Sequence, residues 1–322
     1  MANAVRKISI FIFFFVMMLC VVSNPYAYSQ TSADSIGINF LLRLPDSKVK
    51  VDSIIAYTSR HRKEASAEVL FDEAFRLVDE LHYNEVRARL LDIYGVFKRD
   101  FSKYSEALEL HKKSLELARK ANDVRTEIYA LNNMGVVYRR LDENTTALNY
   151  HFQALKLAEK VKDDYSASVS LNSIGNIHIA LGNYADAIKY FEQCLPLAYK
   201  ANNNLGIAMN LNNIGEAYES LGILDSAESY YQKSLGYNEK IRSMKGIAIS
   251  YNSLGNISRM QKKFSEAVDL YKKALNINKE IGDMIYTSIT YNRLGEVYFL
   301  QKKLQDAEIM FRKGLELANE IG

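Results

Sequence analysis

Tryptophan is absent from this chain, and proline nearly so: Pro25, Pro45 and Pro196 are the only three in 322 residues. Proline removes a backbone donor and clashes inside a helix, so a chain this poor in it can sustain many long helices. Cysteine is limited to Cys20 and Cys194. Two thiols make no disulfide framework, and none at all once an N-terminal segment is removed, which is compatible with an oxidising compartment. An excess of charge of one sign is also lacking. The net charge is +3, and Arg6 and Lys7 supply two of those charges in a stretch, residues 1–29, that holds no Asp or Glu. The remaining body is close to neutral and offers no electrostatic footprint for nucleic acid. With 48% hydrophobic and 25% charged residues, the composition is that of a folded protein, far from disorder. The 22 tyrosines supply large packing faces with a polar tip.

One long apolar run is present, Ile8 to Val22, behind the basic pair Arg6–Lys7. Ser23, Asn24 and Pro25 break it, and the small-x-small triplet Ala27-Tyr28-Ser29 follows. A basic n-region, an apolar h-region and such a site predict an export signal over residues 1–29, cleaved after Ser29. An uncleaved anchor is the alternative, although fifteen residues make about 22 Å of helix against a hydrocarbon core of about 30 Å. Cys20 makes a poor lipidation site, because bulky Met17-Met18-Leu19 precedes it. The expected location is therefore the periplasm or the cell surface.

From Leu91 the chain repeats every 40 residues, at Leu91, Leu131, Leu171, Leu211, Tyr251 and Tyr291. LNNMGVVY, LNSIGNIH, LNNIGEAY, YNSLGNIS and YNRLGEVY are one pattern. Within each copy a glycine recurs (Gly95, Gly135, Gly175, Gly215, Gly255, Gly295) and then an alanine (Ala107, Ala147, Ala187, Ala227, Ala267, Ala307). A ring follows (His111, His151, Phe191, Tyr231, Tyr271, Phe311) and then a small residue (Ser114, Ala154, Cys194, Ser234, Ala274, Gly314). Such self-similarity predicts stacked supersecondary units. Leu211, Ile214, Gly215 and Tyr218 stand at i, i+3, i+4 and i+7, one stripe of a helix. Glycine inside a helix costs about 1 kcal/mol against alanine, so six copies in register imply a neighbouring helix that comes close. LGN, LGI and QKK separate the two helices of a unit; ANDV, KDD, NNN and GDM separate units.

Gly-x-x-Tyr, then Ala, an aromatic and a small residue at these spacings resembles the tetratricopeptide repeat. HEAT repeats share the 40-residue period but lack this ladder. The usual tetratricopeptide period is 34, so the helices should be longer by more than a turn, as in the long-repeat subclass that includes kinesin light chains and bacterial peptide-receptor regulators. The resemblance also extends to exported bacterial proteins of this kind and to the sensor regions of signalling proteins. It implies an all-α fold, a right-handed superhelical solenoid of antiparallel helix pairs, with about seven repeats and about fourteen helices. The expected organisation is a linker at 30–50, a degenerate first repeat at 51–90 with Ile55 where glycine belongs, and repeats at 91–130, 131–170, 171–210, 211–250, 251–290 and 291–322.

No catalytic or metal-ligating set is legible, and no cofactor is expected. His111 and His151 occupy the ring slot and His178 the tyrosine slot, while His61 and His82 lack a partner at catalytic spacing. Cys194 reads as a buried core thiol. Pro196 should kink or unwind its helix. The remaining signal is the second residue of each repeat: Asn132, Asn172, Asn212, Asn252 and Asn292, after Asp92. Asparagine is a mediocre helix former, and these residues stand beside the packing stripe. One turn on come Val136, Asn176, Glu216, Asn256 and Glu296, and at i+7 Arg139, Ile179, Glu219, Arg259 and Phe299. An amide can pair with both groups of a peptide backbone, and in the peptide-binding relatives that the sequence resembles, asparagines in this place do so.

The candidate groove is therefore Asn132, Asn172, Asn176, Asn212, Glu216, Asn252, Asn256 and Asn292, with structural bridging between repeats as the competing role for the asparagines. The expected function is a non-enzymatic scaffold of the cell envelope that holds an extended peptide or a partner's segment. The alternative is the sensory input region of a longer membrane signalling protein, a histidine kinase or a transcriptional regulator. A membrane enters only through the N-terminal segment or through a further C-terminal part. Phe311, Leu315 and Ile321 would face water on the last helix, which makes weak self-association there an expectation.

Overall fold

The structure is a computed structural model that describes residues 30–321. The export signal at 1–29 lies outside the described residues. The chain divides into two compact units, Met1–Ile93 and Tyr94–Gly322. Among the described residues there are fifteen α-helices, two short 3-10 turns and no strand. None of these helices is long and apolar enough to cross a membrane.

In the first unit the expected linker at 30–50 is corrected. Helix α1 (Gln30–Arg43) fills most of it and α2 (Lys48–Arg60) begins inside it. Ile38 and Leu41 of α1 are buried, which gives the segment an apolar anchor that its short pattern did not advertise. Ser47 caps α2 by accepting from the Lys50 amide at 3.2 Å. Helix α3 (Glu68–Glu80) follows a 3-10 turn at Ala65–Ala67. Val51, Ile54, Ile55, Leu70, Phe71 and Leu77 form the buried interior. Ile55 therefore packs as an ordinary core residue where later copies carry glycine. A second turn, Asn84–Val86, leads into α4 (Arg87–Asp100).

The second unit is a run of antiparallel pairs. After α5 (Tyr104–Ala121) come α6 (Val124–Arg140) with α7 (Asn144–Lys160), and α8 (Asp164–Ala180) with α9 (Tyr184–Lys200). Then follow α10 (Asn204–Ser220) with α11 (Leu224–Lys240), α12 (Met244–Met260) with α13 (Phe264–Glu280), and α14 (Met284–Leu300) with α15 (Leu304–Ile321). The sequence frames opening at Leu131 and its equivalents start inside the first helix of each pair.

Local chemistry explains these ends. Asp123, Asp163, Asn203, Ser243 and Asp283 cap the first helices, each accepting from a backbone amide three residues on at 2.9–3.2 Å. Helices close through a left-handed residue, among them Asn122, Asp142, Gly182, Asn202, Gly222 and Gly282. At Gly182 the amides of Gly182 and Asn183 return to the carbonyls of Ile179 and His178, satisfying the end of α8. The unwinding expected at Pro196 is corrected: α9 is helical throughout, and Pro196 lies on its exposed side, where water can satisfy the freed carbonyl. On α15, Phe311, Leu315 and Ile321 are exposed.

Candidate functional site

The recurring glycines face the recurring rings. A β-carbon on Gly95, Gly135, Gly175, Gly215, Gly255 or Gly295 would stand only 2.5–2.7 Å from the ring of His111, His151, Phe191, Tyr231, Tyr271 or Phe311. The ring of each second helix thus lies against the backbone of its first helix, and the alanines beside it are buried. Within the second unit, first helices of successive pairs (α6, α8, α10, α12, α14) also meet one another, while second helices show no comparable contact. The first helices therefore line the inner face of this array, and their uncovered side chains form its surface.

On that face the amides have two different fates. Ser170 Oγ lies 3.0 Å from Asn132 Oδ1, Asn172 Nδ2 donates to Asn210 Oδ1 at 3.0 Å, and Thr290 Oγ1 lies 3.1 Å from Asn252 Oδ1. Each bond joins a repeat to the next, 38 residues on. Asn132 and Asn252 are buried. Their expected place beside the packing is corrected: both bridge repeats through Oδ1, and in Asn252 the Nδ2 is left unpartnered. Asn176 belongs to the same amide chain, donating to Asn172 Oδ1 at 2.9 Å and accepting from Asn213 Nδ2 at 3.1 Å. Asn292 is set against Gly314, which has no β-carbon to displace it.

Asn212 breaks the series. Its counterpart Ser250 accepts instead from Asn238 Nδ2 at 3.3 Å and donates to Gly246 O at 3.0 Å. The Asn212 Oδ1 is left buried and unpartnered.

Two adjoining clefts open at this break, of about 430 and 270 Å³. Both are lined by Asn212, Glu216, Ile249 and Tyr286. The larger adds Leu205, Met209 and Lys245; the smaller adds Glu219, Asn252, Asn256 and Arg293. A third, of about 390 Å³, contains Asn172 with Val169, Cys194, Leu205 and Met209. Of the candidate groove residues, Asn212, Glu216, Asn252 and Asn256 are thus brought to one place, and Asn172 to a neighbouring one.

These clefts also reveal a row that the asparagine pattern does not include. Tyr129, Val169, Met209, Ile249 and Ile289 stand 40 residues apart, each three residues before a ladder asparagine. Val169, Met209 and Ile289 are exposed, and Tyr129 and Ile249 half-buried. The same 40-residue arithmetic locates this row, but in the sequence an apolar residue on a helix passes for core.

Comparison with known sequences assigns the pattern. The profile of the tetratricopeptide repeat matches residues 126–200, 165–240 and 246–320. The chain belongs to the tetratricopeptide repeat family. No curated protein matches it. Solved structures with the same fold include the signal transduction ATPase with numerous domains that carries a tetratricopeptide repeat sensor, from Pyrococcus horikoshii, at 17% identity and TM-score 0.68 over 89% of this chain and 45% of that one. Aspartyl phosphate phosphatase F from Bacillus subtilis matches at 14% identity and TM-score 0.67, over 90% and 73%. A Rap protein complexed with Competence and Sporulation Factor matches at 15% and 0.60, over 88% and 90%.

Within this tetratricopeptide array the electrostatics are local. Glu219 accepts from Tyr231 Oη at 2.7 Å and from Asn256 Nδ2. Arg259 donates to Asn256 Oδ1 at 2.6 Å and stands 3.8 Å from Glu296. Two members of the i+7 row, Glu219 and Arg259, are therefore part of one network between repeats. Glu216, by contrast, carries no hydrogen bond or ion pair, and burial together with the charge of Glu219 holds its carboxyl above the usual range.

At the other end of the array, Arg139 is half-buried with no acidic partner; burial, then Arg140 and Arg99, push its pKa down. Cys194 donates to Ser168 O at 3.2 Å, and burial pushes its thiol up to about 11, the behaviour of an inert core thiol. Among the described residues no cluster of His, Cys, Asp or Glu could hold a metal ion. His178 stacks on Tyr190 with ring centroids 5.2 Å apart, as Tyr218 does on Tyr230.

Proposed function

We propose that this protein is a binding scaffold of the cell envelope that holds an extended peptide, or a partner's segment, along the inner face of its repeats. The observation that carries the reading is the apolar row Tyr129, Val169, Met209, Ile249 and Ile289, of which the last four line the clefts beside polar side chains. Soluble proteins rarely leave a continuous apolar track uncovered unless something binds there. An extended chain can seat alternate side chains on such a track while its backbone meets amides. The Rap protein of the same fold, seen with Competence and Sporulation Factor, supports a ligand-holding role. The envelope location rests on the basic-apolar character of residues 1–29.

The alternative, a sensory input region of a longer membrane signalling protein, uses the same groove and differs in what occupancy reports. The tetratricopeptide repeat sensor of the Pyrococcus protein supports it. Both readings are tested by incubating purified protein with the exported fraction, washing, and sequencing the eluted peptides. Wild type should retain a recurring set that Met209→Asp/Ile249→Asp loses. Equal recovery from both would overturn the groove.

A further inference from the structure

Three groups in the smaller cleft are left without partners. Asn252 is only 7% exposed, and its Nδ2 is buried and unpaired although its Oδ1 faces Thr290. Asn212 Oδ1 is buried and unpaired as well. Glu216 lines the same cleft; its side chain is exposed, and it has neither hydrogen bond nor ion pair within the protein. An unsatisfied buried polar atom is costly, and in a native fold it asks for an explanation. Here one donor and two acceptors, one of them charged, belong to residues that line a single cavity of about 270 Å³.

The charged neighbours do not answer Glu216. Lys245 is bound to Asp283 at 2.8 Å and lies over the Tyr286 ring. Arg259 is taken up by Asn256 and Glu296. Arg293 lines the cleft but makes no ion pair with Glu216, and the Tyr271 hydroxyl is unpartnered as well. Glu219 is engaged by Tyr231 and Asn256 and adds only negative charge.

We propose that this cleft is a subsite for one basic residue of the bound peptide, its lysine or arginine side chain paired with Glu216 and Asn212 Oδ1 and its backbone carbonyl with Asn252 Nδ2. The carboxyl's raised pKa fits, since an incoming cation relieves its isolation. Ile249 and Ile289 line this cleft and Met209 the adjoining one, which asks for apolar neighbours in the ligand. The ligand class is therefore an apolar peptide segment with a single central cation. This inference rests on the peptide-groove reading.

The test uses the purified full chain and short synthetic peptides in four sets. Each set has randomised apolar flanks around a fixed central Arg, Lys, norleucine or Glu, and is made with free and with acetylated amino termini. Wild type should bind the Arg and Lys sets about tenfold tighter than norleucine, regardless of acetylation. Glu216→Gln should erase that preference while keeping binding to the norleucine set, and Glu216→Lys should favour the Glu set. Equal binding of all sets, or a preference unchanged in Glu216→Gln, overturns the subsite and leaves the groove standing. Loss on acetylation alone overturns the side-chain assignment in favour of a bound amino terminus. Binding by no set overturns groove and subsite together. Melting curves of both variants establish that they fold.

Discussion

His151 Nδ1 stands 2.9 Å from Asn132 Oδ1 inside the array, with neither residue open to solvent. The carbonyl oxygen of the amide accepts, so Nδ1 carries the proton and Nε2 is bare; that nitrogen is buried and unpartnered. Burial, reinforced by Arg139, lowers the imidazole pKa to about 4. A histidine whose folded pKa is depressed contributes stability above its unfolded value near 6.5, and that stability is lost as pH falls toward the folded value. The protein should therefore lose on the order of 3 kcal/mol between about pH 6.5 and 4 from this residue. His151→Phe, which copies Phe191 in the next repeat, should flatten the melting temperature over that window. An acid-induced drop that is the same in both proteins would refute the assignment.

The two fates of the ladder amides give a paired test. Asn132→Ala removes the acceptor of His151 and Ser170 and leaves a buried N–H unsatisfied, a cost of about 1–3 kcal/mol. A gain of about 0.5 kcal/mol in helix propensity offsets part of it. Asn212→Ala removes an oxygen that has no partner, so its stability should change by less than about 0.5 kcal/mol in either direction. Denaturant midpoints of the two variants should separate. Equal losses would mean that Asn212 bridges repeats in solution after all.

Much of this fold could be read from one period. Gly135, Ala147, His151 and Ala154 recur because a ring must meet a bare backbone, and steric demand of that kind leaves the same residue class in every copy. The turns holding the capping residues Asp123, Asp163 and Asp283 were legible for the same reason. The helix at Gln30–Arg43 was not, because a single amphipathic segment with no repeat to echo it offers only a weak pattern. The site divides in the same way. Periodicity singled out Asn172, Asn212 and Asn252 but could not say whether an amide bonds a neighbour or a ligand; that depends on contacts between helices, such as Thr290 with Asn252, which has no counterpart at Asn212. The apolar row of Val169, Met209 and Ile249 was visible in the letters. Its exposure was not, because hydrophobicity by itself does not tell an inner face from a core.

The glycines offer a direct check on the ring-to-backbone contact. At Gly215 a β-carbon would stand 2.7 Å from two atoms of the Tyr231 ring. That ring cannot slide freely, since its hydroxyl is tied to Glu219. Gly215→Ala should cost about 1–3 kcal/mol of overpacking against about 1 kcal/mol of gain in helix propensity. At Gly236, inside α11, a β-carbon would meet nothing within 4 Å, so Gly236→Ala should stabilise by up to about 1 kcal/mol. Thermal melts of the two alanine variants should therefore move in opposite directions. A shift of the same sign in both would show that the matched recurrence of glycine and ring has a cause other than steric contact.

Glu216 should show that the cleft is held at some expense of stability. Its carboxyl pKa is raised in the folded protein by burial and by Glu219. Ionisation is therefore easier in the unfolded chain, and above the raised value the charge works against folding. Protonation removes the penalty, so the contribution improves as pH falls through that value, opposite in sign to His151. Glu216→Gln should raise the melting temperature at neutral pH. The side chain is exposed and solvent screens it, so the gain is small, on the order of 1 °C for an array of this size. At a pH low enough to protonate the wild-type carboxyl, the two proteins should melt together. A lower melting temperature for Glu216→Gln at neutral pH would show that the carboxylate already has a stabilising partner inside the protein, and that it is not waiting for one from a ligand.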